Sequence, residues 1–155
     1  MARPRATLLL ALAAVCLAAC GRKGPLELPS GGAPMAAADL AAAVEGGEVV
    51  LSWTNPSKTL AGRPLRELAA VEIWVFEAGL PAAGAIPAAA EVERTARAAA
   101  KVPAAAPGLR MSYRFAPAAG SAGPQRLAFT VRIAGPGGRL SEFAAPAFAT
   151  VGGRP

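Results

Sequence analysis

An antiparallel β-sandwich is the fold class this chain predicts, on three observations. Several segments alternate apolar and polar residues with a period of two, the pattern of strands that bury one face. Turn formers are abundant, with 17 Gly and 15 Pro, and they fall between those segments without any period of their own. The hydrophobic share of 54% is inflated by 41 alanines, while only eight aromatic residues (5 Phe, 2 Trp, 1 Tyr) are available for a core. Alanine buries little area, so the core must be assembled from few bulky side chains placed at alternating positions.

Taken in order, strand-like sequence begins near Ala38. In Val49–Thr54 the residues Val49, Leu51 and Trp53 share one face, and Asn55-Pro56 stops the run. Ala70–Glu77 is rich in β-branched and aromatic residues. Its parity sends Val71, Ile73 and Val75 inward and leaves Glu72, Trp74 and Phe76 on the outer face. Arg110–Phe115 sets Met111, Tyr113 and Phe115 against Arg110, Ser112 and Arg114. Arg126–Ala134 sets Leu127, Phe129, Val131 and Ile133 against Arg126, Ala128, Thr130 and Arg132. Gly135–Gly138 makes a turn, and a last strand is expected from about Phe143 to Val151. Strands at this spacing, separated by turn signals, make a sandwich. One stretch departs from the pattern. Residues 88–100 are built of strong helix formers behind Pro87, with Glu93 four residues ahead of Arg97. A short helical insertion is expected there, and an Ala-rich loop is the alternative that composition leaves open.

The run Val50-Leu51-Ser52-Trp53-Thr54-x-Pro56, then Val71-x-Ile73, then Phe129-x-Val131-x-Ile133 before Gly138-x-Leu140-Ser141, resembles a fibronectin type III domain. The likeness covers roughly residues 34–151, with the domain proper placed at 35–151 and a tail at 152–155. It implies an immunoglobulin-like sandwich with Trp53 as the core tryptophan of the second strand. Leu127 and Phe129 stand where that family usually has a tyrosine, so its tyrosine corner is absent or different here.

The N-terminus reads as an address. Arg3 and Arg5 precede an apolar run of about 15 residues from Ala6 to Cys20, short of the roughly 20 a spanning helix needs. Leu17-Ala18-Ala19-Cys20, followed by Gly21, resembles the lipobox of a bacterial lipoprotein. That resemblance implies a signal peptide over 1–19, acylation of Cys20, and a tether over 20–34. Acyl chains contribute about 0.8 kcal/mol per buried methylene, so two or three of them anchor a protein stably in a membrane. Gly21, rather than Asp, implies the outer membrane, with the domain facing the periplasm. The stretch Gly21, Lys23, Gly24, Pro25 and Leu26 resembles the start of LptM-type small lipoproteins, which accompany the lipopolysaccharide translocon. A plain reading stands beside it, a basic tether whose cations sit near anionic headgroups.

Removing Arg3 and Arg5 with the signal lowers the basic count from 16 to 14 against 10 acidic residues, a net +4. The cations are scattered, which gives no reason to expect a nucleic-acid partner. No histidine occurs, Asp39 is the sole aspartate, and the one mature cysteine is expected to carry lipid. Cysteine–histidine pairs, the serine triad and ordinary zinc sites are thereby excluded, so neither catalysis nor a metal or other cofactor is expected. The expected function is that of a membrane-anchored binding or scaffolding lipoprotein with a protein partner in the envelope. The alternative is an assembly factor working through Cys20–Leu26. Trp74, Phe76, Arg114 and Arg132, all on outward-parity positions, are the candidate interface; the alternative is that a neighbouring strand, the Ala-rich segment or the tether covers the two aromatics and the arginines only solvate a sheet face.

Overall fold

The computed structural model describes residues 31–118 and 123–152. The lipobox, Cys20 and the tether motif from Gly21 to Leu26 lie outside the described residues. Seven strands form two antiparallel sheets: β1 (Ala38–Glu45), β2 (Glu48–Thr54), β3 (Ala70–Phe76), β4 (Arg97–Pro103), β5 (Arg110–Phe115), β6 (Gln125–Ala134) and β7 (Ala147–Val151). The three-stranded sheet has the order β1-β2-β5, and the four-stranded sheet has the order β4-β3-β6-β7. Among the described residues one α-helix, the short α1 (Ala89–Thr95), lies between β3 and β4. The fold is the all-β sandwich that the alternation predicts.

The period-two pattern becomes the core directly. Val49, Leu51 and Trp53 from β2, Val71, Ile73 and Val75 from β3, and Leu127, Phe129, Val131 and Ile133 from β6 are all buried between the sheets. Phe115 closes one end, edge-on to Phe129 with ring centroids 5.1 Å apart. Burying each of these side chains contributes about 1.5–3 kcal/mol. The β1–β2 connection is the two-residue turn Gly46-Gly47, with φ of 60° and 88°, a conformation only glycine adopts freely. At the far end of β2, the indole N–H of Trp53 donates to Asn55 Oδ1 at 3.1 Å, and Asn55 Nδ2 donates to the Ala105 carbonyl at 2.9 Å. That pair ties the strand end to the loop between β4 and β5.

Three expectations need correcting. The helix-forming stretch over 88–100 is helical only as far as Thr95, and Arg97–Pro103 is strand β4. Alanine's helix propensity is worth only tenths of a kcal/mol per residue over its neighbours, and a free strand edge on β3 outweighs it. Trp74 pairs with Ala98, Ile73 with Ala100 and Val71 with Val102. The expected Glu93–Arg97 contact is replaced by two others: Arg97 binds Glu77 at 2.6 Å, and Glu93 binds Arg132 at 3.3 Å. Second, the last strand starts at Ala147, not Phe143. Residues 140–144 still run beside β6, with Ser141 N–H on the Ile133 carbonyl (2.8 Å) and Ala144 N–H on the Val131 carbonyl (2.9 Å). Third, Gly31–Pro34, expected in the tether, belong to the folded unit. Ala61 N–H donates to the Gly31 carbonyl at 3.1 Å, Leu60 N–H to the Ala33 carbonyl at 2.9 Å, and Pro34 bridges to Thr59.

The outer face of the four-stranded sheet is covered in part, while Lys101, Arg126 and Thr150 on it stay exposed. After β3 the chain runs back over that face and forms α1, whose Val92 is buried with Phe76, Ala128 and Phe143 in a second cluster. A seven-residue helix is not stable by itself, so this packing holds it. Thr130, central in β6, is also fully buried and satisfied, its hydroxyl donating to the Ala144 carbonyl at 2.7 Å.

Candidate functional site

The second cluster removes most of the interface expected from parity. Phe76 is fully buried under α1, so it is a packing residue with no surface to offer. Trp74 is half-buried, edge-on to Phe143 with centroids 6.1 Å apart and the rings nearly perpendicular. Its Nε1 has no accessible surface and no hydrogen-bond partner. Arg132 does not project into solvent either. Its side chain is 11% exposed and binds Glu72 at 2.8 Å and Glu93 at 3.3 Å, with its guanidinium 4.7 Å from the centre of the Phe143 ring. Alternation could place these residues on the outer face, but it could not show that a distant segment, Phe143 with α1, covers that face.

Glu72 sits between Arg132 and Lys101, whose Nζ lies 3.3 Å away. Burial acts to raise its pKa, but the hydrogen bonds and charges of Arg132 and Lys101 outweigh that and hold it below the ordinary carboxylate value. Arg114 does remain on the surface, as expected. It meets Glu45 at 3.2 Å and Glu48 at 3.4 Å across the β1–β2 turn. Both pairs are well exposed and so contribute little.

A groove of about 570 Å³ with a mainly apolar lining opens on the surface. Its floor includes buried Ala33, Ser141 and Phe143, and its rim carries Leu60, Ile86 and Leu140 at 48%, 58% and 40% exposure. Four separate segments build it, the chain entry at Ala33 being the first. The loop after β2 supplies Leu60, the return segment before α1 supplies Ile86 to Ala89, and the stretch after β6 supplies Leu140 to Phe143. Each rim residue stands alone among turn formers: Leu60 before Ala61-Gly62, Ile86 before Pro87, and Leu140 after Gly137-Gly138-Arg139. An isolated bulky apolar residue in a turn is the sequence signal that could have found them. Alternation analysis passes over such residues because they lie outside every strand.

The groove lies where the chain enters the fold. Ala33 lines it, and Leu60 N–H bonds the Ala33 carbonyl. Two close approaches mark the entry. A Cβ at Gly32 would overlap the Arg139 guanidinium, and one at Gly135 would come within 2.9 Å of Pro34 Cγ. Exposed Met35 donates its N–H to the Lys58 carbonyl at 3.0 Å, which brings a further apolar side chain and a cation to the same end. Among the described residues no group of three metal-ligating side chains occurs, and no helix is long and apolar enough to cross a membrane.

The fold and this entry point define a β-sandwich module carried immediately behind the N-terminal segment. Residues 7–29 match the family model of the conserved region of the LPS-assembly lipoprotein LptM. The match spans the lipobox, Cys20 and the Lys23-Gly24-Pro25-Leu26 motif, and it ends two residues before the described fold begins. The N-terminus is therefore of the lipoprotein type, which makes this a membrane-anchored protein of the cell envelope. No curated protein matches the chain.

Proposed function

We propose that this protein is a non-catalytic, lipid-anchored binding module of the envelope, and that the groove beside the chain entry is its working surface. The observation that carries the reading is the meeting of three exposed apolar side chains, Leu60, Ile86 and Leu140, around a groove lined by Ala33. Exposed apolar residues gathered on one concave surface mark contact sites more often than chance. Gly21 after Cys20 supports the outer membrane as the location, with the module on the periplasmic side. The sandwich itself is read as fibronectin type III-like: Trp53 fills the core from the second strand, and β4 pairs with β3 rather than with β1. The test is a photo-crosslinking residue introduced in cells at Ile86 and, separately, at Val44, which is 46% exposed on β1. Adducts from Ile86 and none from Val44 are expected. No adduct of any kind from Ile86 would sink the proposal.

The family match favours a second reading, an accessory of the lipopolysaccharide translocon working through Cys20–Leu26. Replacing Gly21–Pro29 with a neutral spacer of equal length separates the two. The accessory reading requires loss of partner contact, whereas a groove-based function survives the exchange.

A further inference from the structure

We propose that the groove end of the sandwich rests on the bilayer that holds the anchor, with Leu60, Ile86 and Leu140 entering the headgroup layer and Lys58 and Arg139 beside them against anionic lipid. The inference rests on the readings that Cys20 is acylated and that the groove is the working surface.

Chain length is the first argument. Ten residues separate Cys20 from Gly31, so the eleven steps between them reach at most about 40 Å whatever path they take. The ten-residue strand β6 alone runs about 33 Å. The chain enters the fold at the groove end, so that end can meet the lipid with the tether far from taut. For the opposite end, with the β1–β2 turn, to reach the bilayer, the tether would first have to span nearly the length of the sandwich.

Chemistry is the second. Leu60 lies in a turn, Ile86 in irregular backbone, and Leu140 is bridged to Ala134 outside the seven strands, so these rim residues can enter an interface without exposing an unpaired sheet edge. Apolar side chains flanked by cations suit a surface that is apolar below and negatively charged above. Arg139 is exposed with its guanidinium against Gly32, at the point where the chain comes in. Glu142, exposed on the groove wall, opposes deep burial and limits the contact to the headgroup layer.

The test uses the full acylated chain in vesicles of phosphatidylethanolamine and phosphatidylglycerol. An acylated Cys20 leaves no free thiol in the mature chain, so Leu140→Cys, Ala88→Cys and Val44→Cys each give one site for a nitroxide. Ala88 is exposed and small, which guards against a fold lost with Leu140. Intact mass is read first, and absence of acyl chains would overturn the anchor and this inference together. On acylated protein, labels at 140 and 88 should be several-fold more accessible to oxygen than to a water-soluble nickel chelate, and the label at 44 the reverse. Adding Leu60→Glu with Ile86→Glu should return the label at 88 to water. Labels at 140 and 88 as open to nickel as the one at 44 would overturn the proposal. So would shielding from both reagents alike, because protein rather than lipid would then fill the groove.

Discussion

The two tryptophans make opposite predictions for the same substitution. Trp53 is fully buried and its indole N–H is paired with Asn55 Oδ1 at 3.1 Å. Trp53→Phe leaves a void in the core and a buried amide oxygen without its partner. The stranded acceptor costs about 1–3 kcal/mol. Void formation adds about 24 cal/mol per Å³, or roughly 1 kcal/mol for a residual space of some 40 Å³. A total of about 2–4 kcal/mol is a large part of the roughly 5–15 kcal/mol available to a domain. Trp74 is half-buried, and its Nε1 is buried with no partner, so Trp74→Phe removes a donor that already carries the desolvation cost. That relief, about 1–3 kcal/mol, offsets the lost ring area, and the net change should lie within about 1 kcal/mol of zero. Urea unfolding of the acylated chain in detergent reads both, and each variant keeps one tryptophan as the fluorescent reporter. Equal losses for the two variants, or a greater loss at Trp74, would refute this account of how the indoles are held.

Further outcomes follow from the same geometry. Cys20→Ser should leave an uncleaved, unacylated precursor, seen as the full precursor mass. Phe143→Ala should cost about 3–5 kcal/mol by uncovering Val92 and Phe76, and amide exchange should rise first in α1. Glu72 has a folded-state pKa below its unfolded value, so its contribution to stability is complete above the ordinary carboxylate range. It is lost as pH falls through the lowered value. Urea midpoints for wild type and Glu72→Gln should therefore differ at neutral pH and converge in strong acid, and a constant gap across that range would contradict the assignment.

Where one face of a strand meets the core, the alternation was legible. Val49-x-Leu51-x-Trp53 and Leu127-x-Phe129-x-Val131-x-Ile133 could face the core only one way, because a shift of one residue would bury Ser52 or Arg132 there. Helix propensity located α1 but overran its end, because β3's free edge is not written in the sequence of residues 97–103. Parity puts Trp74, Phe76 and Arg132 on the outer face of the sheet but leaves open whether that face is covered. Their cover comes from Phe143, 67 residues beyond Phe76 in the chain, through a segment with no strong local preference. The groove is the least legible part, since it exists only where four segments distant in sequence converge.

That convergence bears on how the two halves of the chain work together. The LptM-like match ends at residue 29 and the fold is already bonded at Gly31, so a single residue separates the two. A module meant to search the periplasm would gain from a long spacer, because reach grows with linker length. Here the described residues begin instead with Gly31–Pro34 paired to the loop at 57–64 and Arg139 laid across Gly32. The stretch between the match and Gly31 therefore delivers the chain to the groove end of the sandwich, where Ala33 lines the groove and Leu60 N–H holds its carbonyl.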